Sequence, residues 1–157
     1  MNFITKLLLI IFFNFIAFKV YTIDIPKDLI VKIMKESENE ESIISKNLDL
    51  ISVKYTGWIF DKNIPTNNYC DAKGKMFDSN IFDTFNHTQP FQFVLGKSIV
   101  IKGWDLGLQD MRINEQRCLV IPSQLAYGNR RIGNIIEPNS TLIFEVKLLK
   151  ILKVQKK

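Results

Sequence analysis

From Leu142 to Leu148 apolar and charged side chains alternate, with Leu142, Phe144, Val146 and Leu148 on one face and Glu145 and Lys147 on the other. A period of two over that length predicts a half-buried antiparallel strand whose apolar face needs a core to cover it. The same alternation, less regular, runs from Leu48 to Phe60, with Val53 and Tyr55 on one side, Lys54 and Thr56 on the other, and a bulge expected at Gly57. Shorter strands are expected at Leu29–Met34, Met76–Asp78, Phe91–Leu95, where Gly96 ends the run, and Arg117–Ile121, which puts Leu119 and Ile121 on one side. Only Lys102–Leu108 reads as a helix, and it is short.

Three stretches read as connections. The acidic run Glu36–Glu41 is a solvated turn. Residues 61–75, with Pro65, Asn67, Asn68 and Gly74, are a loop or insertion. Gln124–Pro138, rich in Gly and Asn, is a long functional loop.

Residues 1–22 differ from the rest. Lys6 precedes Leu7–Phe13, and the apolar run continues to Phe18 with one Asn interruption, the arrangement of a secretory signal peptide. The run is shorter than the roughly 20 apolar residues that span a bilayer comfortably, so an uncleaved signal anchor is the alternative, and only then is a membrane a partner. Residues 23–157 are enough for one domain with its own core. The formal charge of +5 includes Lys6 and Lys19 of the leader, and the other Lys and Arg form no stripe with interleaved aromatics. Nucleic acid is therefore not an expected partner. An oxidising compartment would allow Cys70 and Cys118 to pair, closing a loop of roughly 50 residues; two unpaired thiols are the alternative. Asn86-His87-Thr88 and Asn139-Ser140-Thr141 are glycosylation sequons, with occupancy expected more at Asn86 than at Asn139.

Chemistry is conspicuous by what is missing. A single histidine, His87, in a loop offers little to a Ser/His/Asp or Cys/His triad, no Gly-rich phosphate loop follows a strand, and two cysteines with one histidine make a poor metal site. No cofactor or metal is expected. What remains is a set of large apolar side chains near chain reversals.

Taken in order, Val53-Lys54-Tyr55-Thr56-Gly57, Gly74–Ser79, Pro90–Gly96, Val100-Ile101-Lys102-Gly103-Trp104-Asp105, Ile121-Pro122, Ala126-Tyr127-Gly128, Ile135–Pro138 and Leu142–Val146 resemble the FKBP-type peptidyl-prolyl cis/trans isomerases from about Leu29 to Leu152. The resemblance implies an α+β fold, a strongly twisted antiparallel sheet wrapped around one short helix, with a pocket between them. It implies catalytic roles for Tyr55, Phe77, Asp78, Tyr127 and Phe144, and substrate-binding roles for Phe91, Val100, Ile101, Trp104 and Ile136. Trp104 would floor the pocket, the Ile101 N–H and the Tyr127 hydroxyl would donate to substrate carbonyls, and Asp78 would orient Tyr55; a turn residue capping Ser79 or Asn80 is the plainer role for Asp78. The implied partners are proline-containing polypeptides, with macrolides such as rapamycin and tacrolimus as further ligands, and the implied location is the endoplasmic reticulum lumen or the exterior.

This chain departs from compact members of that family in two enlargements, between Tyr55 and Phe77 and between Asp78 and Phe91, both expected to rim the pocket. Ile132 stands where several members have His, and Glu137 where a Pro is common. These departures leave a second reading open: a binding module that holds a partner in the same pocket without useful turnover.

Overall fold

The computed structural model describes residues 23–153, so the expected leader and the last four residues lie outside the described part. Six strands form one antiparallel sheet: β1 (Ile30–Lys35), β2 (Asp49–Phe60), β3 (Lys73–Ser79), β4 (Phe91–Val94), β5 (Gln116–Ile121) and β6 (Leu142–Lys153). The order across the sheet is β1-β5-β6-β2-β3, and β4 pairs with β2 as well. The two long strands with the alternating pattern sit together at the centre, β2 paired with β6 from Asp49↔Lys153 to Ile59↔Leu142. The expected bulge at Gly57 is present on one edge only: the register shifts between Gly57 and Trp58 against β3 but runs unbroken there against β6.

Alternation sorts the central side chains onto two faces. Inward go Ile51, Val53 and Tyr55 of β2, Leu119 and Ile121 of β5, and Leu142, Phe144, Val146 and Leu148 of β6, all in one buried cluster with Trp104 and Leu108. Against β2, β6 carries an extra residue, since Ser52 faces Lys150 and Val53 faces Leu148; this bulge at Leu149 lets Ile151 join the inner cluster.

The helix, α1 (Lys102–Gly107), covers that inner face. Gly103 and Gly107 are one turn apart and both buried; a Cβ on Gly103 would stand 2.4 Å from Ile121 Cγ2, and one on Gly107 2.8 Å from a Leu119 methyl. The two glycines therefore let the helix backbone lie directly on β5. Arg117 closes the other end, donating to the carbonyls of Gly107, Gln109 and Asp110 while pairing with buried Glu115 at 2.5 Å. Those carbonyls have no helical partner, so the guanidinium caps them.

The first enlargement does not go where it was expected. Its last three residues, Lys73, Gly74 and Lys75, already belong to β3, and Tyr69–Asp71 form a 3-10 turn. Cys70 and Ala72 pack with Cys118, Val120 and Ile143, the outward-facing residues of β5 and β6, in a second buried cluster on the opposite face from the helix. Cys70 and Cys118 are disulfide-bonded, with Cα atoms 6.1 Å apart, which resolves the two alternatives in favour of the bridge. The loop is a cover for the back of the sheet rather than a rim of the pocket.

The second enlargement, Asn80–Pro90, leaves the sheet between β3 and β4, which both pair with the same edge of β2. The fully buried Asn80 side chain replaces the missing ladder: it accepts from the Tyr55 N–H at 2.7 Å and donates to the carbonyls of Val53 and Gln89 at 3.1 Å. Lys54 Nζ binds the carbonyls of Asn80 and Thr88, closing the neck of the excursion.

Candidate functional site

A cavity of about 500 Å3 opens between the inner face of the sheet and α1, lined by Tyr55, Phe77, Asp78, Phe91, Val100, Ile101, Trp104, Tyr127 and Phe144. These are nine of the ten residues singled out from the sequence. The tenth, Ile136, is not among the lining residues; it is 4 % exposed and packs in the same buried cluster as Trp104 and Phe144. In the long loop Ile132 and Ile136 exchange backbone hydrogen bonds of 2.9 and 3.2 Å, with Ile136 buried and Ile132 exposed.

Trp104 forms the floor, 4 % exposed on the first turn of α1. Rings stand around it at right angles: Tyr55 at 5.1 Å and 81°, Phe144 at 5.2 Å and 85°, and Phe91 at 6.2 Å and 70°. Edge-to-face contacts of this kind hold aromatic walls in place beyond their burial alone. Among the described residues the indole N–H has no hydrogen-bond acceptor. Phe77 stands edge-on to Phe144 at 5.5 Å and 88°. This close grouping of rings on β2, β3 and β6 is possible because β2 has a glycine, Gly57, opposite Phe144.

The polar groups are few and specific. The Tyr55 hydroxyl donates to Asp78 Oδ2 at 2.6 Å, so Asp78 orients the tyrosine and does not cap the turn after it; Ser79 performs that task, accepting from the Ile81 N–H. Burial first, then the hydrogen bond to Asp78 and its negative charge, push the Tyr55 hydroxyl far above its ordinary pKa. Tyr127 is raised as well, by burial and then by Asp78, against a smaller opposing effect of Arg130. Both phenols are therefore donors at neutral pH. Among the described residues the Ile101 N–H makes no hydrogen bond, which leaves it free to receive a carbonyl at the mouth.

Four lining residues escape the sequence reading: Ile99, Lys102, Ala126 and Arg130. Ile99 is 61 % exposed and extends the apolar wall toward solvent. The wall from Gly96 to Ile101 is held by Asp105, whose carboxylate accepts from the N–H groups of Gly96 and Ser98 at 2.8 and 2.9 Å. Sequence reasoning also leaves out His87, whose Nε2 lies 2.8 Å from Asp78 Oδ1; the signal was a lone histidine on an excursion that leaves and rejoins the same strand edge. A ring-walled cavity with a few polar groups is suited to an apolar ligand.

Comparison with known proteins agrees with the geometry. Residues 41–149 match the family described as FKBP-type peptidyl-prolyl cis-trans isomerase. The chain is 38 % identical to FK506-binding protein 2 of Kluyveromyces lactis over 96 % of its length and 94 % of that protein's. It is 39 % identical to an FK506-binding protein of Neisseria meningitidis serogroup C, over 78 % and 95 % of the two chains. FK506-binding protein 1 of Saccharomyces cerevisiae is similar at 36 % identity, over 77 % and 92 %.

Proposed function

Because this chain belongs to the FKBP-type peptidyl-prolyl cis-trans isomerase family and is an isomerase of that class, we propose that it accelerates rotation about Xaa-Pro bonds of polypeptides folding in the secretory pathway, and that its pocket also accepts macrolides such as rapamycin and tacrolimus. The observation that carries the catalytic part is the Tyr55–Asp78 hydrogen bond set over the Trp104 floor.

Amide resonance puts the barrier to rotation near 18–20 kcal/mol. The planar imide is more polar than its twisted form, so moving it from water into a ring-lined cavity raises the planar state relative to the twisted one, with no proton transferred. Trp104 receives the prolyl ring, and Tyr55, Phe91, Val100 and Phe144 close the sides. The Ile101 N–H and the Tyr127 hydroxyl hold the flanking carbonyls, which fixes one side of the bond while the other turns. Asp78 keeps Tyr55 in place, and Phe77 fills the space beside Phe144.

Two features support the secretory location: the charged and then apolar pattern of residues 1–22, and the Cys70–Cys118 bridge, a bond characteristic of oxidising compartments. The FK506-binding names of the relatives support the macrolide part.

Isomerisation of a short Xaa-Pro peptide, measured with and without rapamycin or tacrolimus, tests the proposal. Fast turnover that the macrolide abolishes is expected; ligand binding without turnover would favour a holding module. For the location, the mass of exported protein before and after reduction reads leader removal, glycans and the disulfide together.

A further inference from the structure

We propose that His87 is a positioning residue for the isomerase site, one that grips Asp78 more firmly when protonated and so makes turnover depend on pH. The inference rests on the reading of Tyr55 and Asp78 as part of the site.

The geometry is a short chain of contacts from solvent to the pocket. His87 Nε2 lies 2.8 Å from Asp78 Oδ1, and Asp78 Oδ2 accepts from the Tyr55 hydroxyl at 2.6 Å. Each carboxylate oxygen is thus held by a different ring, one inside the cavity and one outside. The histidine side chain is 47 % exposed and Asp78 34 %, so protons reach the pair freely. With His87 neutral, Nε2 must carry the proton to donate to the carboxylate, which fixes the tautomer. With His87 charged, the same contact becomes an ion pair that offsets the charge of Asp78.

The histidine is held in place to do this. His87 follows Asn86, whose backbone is left-handed at φ 57° and caps the 3-10 turn Asp83–Phe85. The Phe85 ring stands 6.5 Å from the imidazole. Lys54 anchors the next residue by binding the Thr88 carbonyl at 2.5 Å. The other ionisable groups of the cavity and the excursion are Tyr55, Lys102, Tyr127 and Arg130 on the pocket wall, Lys54 at the neck, and Asp83 at the start of the 3-10 turn. Both phenols are pushed upward, which leaves the imidazole as the kind of side chain on this rim that changes charge near neutral pH.

With His87 neutral, Asp78 keeps its full negative charge between two neutral donors, and that charge repels the carbonyl oxygens of an arriving substrate. Protonating His87 offsets the charge and strengthens the contact that holds Asp78 against Tyr55. kcat/KM should therefore rise on acidification through the histidine range, by roughly two- to fivefold for a partly exposed pair, and mainly through KM.

The test compares the wild-type chain with His87→Gln in two readouts: the pH profile of kcat/KM for an Xaa-Pro peptide between pH 5 and 8.5, and the NMR shifts of the Tyr55 ring over the same range. The expected result is a step in the wild-type profile that is lost in His87→Gln, together with Tyr55 shifts that follow the single histidine titration in the wild type alone. The sequence holds one histidine, so the step has one imidazole to come from. A flat profile in an active wild type, or a step that survives in His87→Gln, would overturn the proposal. Should the wild type lack turnover at every pH, the site reading fails instead, and the Tyr55 shifts still decide whether His87 governs Asp78.

Discussion

Gly57 lies so close to Phe144 that a Cβ on it would stand 2.8 Å from Phe144 Cε1, and 2.7 Å from Phe77 Cζ as well. The absent side chain in the middle of β2 is what lets two pocket rings meet edge to face. Gly57→Ala forces one of them aside, and Phe77 is the freer because Phe144 is nearly buried. Overpacking of this kind costs about 1–3 kcal/mol. The variant should remain folded, lose isomerase activity several-fold, and lose it mainly in kcat/KM. Thermal unfolding and peptide kinetics on the same preparation check both; wild-type kinetics would show that the rings need not meet.

The hydrogen bond from Tyr55 to Asp78 makes a separate prediction. Tyr55→Phe keeps the ring against Trp104 and Phe144 and removes only the hydroxyl, leaving Asp78 Oδ2 without its donor. A net contribution of about 0.5–1.5 kcal/mol for such a bond corresponds to a two- to tenfold fall in kcat/KM. Asp78→Val should fall at least as far, and the double variant no further than the lower single one if the two residues act as a unit. Additive losses in this cycle would show that they act independently.

The sheet was legible because its signal is local. Alternation at Leu142–Leu148 and around Val53–Thr56 already assigns the inner and outer faces that the structure has, and it turns Tyr55 and Phe144 of the pocket to the inner face. Placement of the inserts was not legible, since nothing in residues 61–72 encodes which face of a distant sheet they cover. That choice is made by tertiary contacts of Cys70 and Ala72 with Cys118, Val120 and Ile143. Ile136 shares the buried cluster of Trp104 and Phe144 without lining the cavity, a distinction of position that its apolar side chain alone does not encode. His87 was passed over because its partner is nine residues back, across an excursion whose path depends on buried Asn80.

The Cys70–Cys118 bridge ties a loop to the back of the sheet, while the pocket opens on the front. Stability and activity should therefore separate. Replacing both cysteines by Ala removes a constraint spanning 48 residues, which is worth about 2–4 kcal/mol. A lower Tm is expected, with kcat/KM within about twofold of wild type at temperatures where both are folded. A proportionate loss of activity in the folded variant would mean that the back cover shapes the pocket after all.

Asp105 holds the wall of the pocket from behind. Its carboxylate accepts from Gly96 and Ser98, both at positive φ, 77° and 54°, a conformation that non-glycine residues such as Ser98 adopt at a cost. Asp105→Ala removes both hydrogen bonds from exposed residues whose N–H groups water can then satisfy, at about 0.5–1.5 kcal/mol each, and frees the segment that carries Val100 and Ile101. The expected signature is a several-fold rise in KM for an Xaa-Pro peptide with a smaller change in kcat. Faster amide exchange should be confined to residues 96–101. Unchanged KM with global destabilisation would make Asp105 a purely structural residue.

The two raised phenols give the chain an alkaline signature. Tyr55 and Tyr127 bind their protons more tightly folded than unfolded, whereas an unfolded tyrosine ionises near pH 10. Their neutral forms therefore contribute fully below about pH 10. Above it, the unfolded chain releases protons that the folded chain retains, so unfolding becomes easier with each further rise in pH. Because both hydroxyls remain donors in the folded state, kcat/KM should stay level between pH 8 and about 10, and activity should disappear only as the protein unfolds. Denaturant midpoints measured from pH 8 to 11, beside initial rates in the same buffers, check the two parts. A fall in kcat/KM below pH 10 in protein that is still fully folded would show that one phenol ionises earlier than its buried position beside Asp78 dictates.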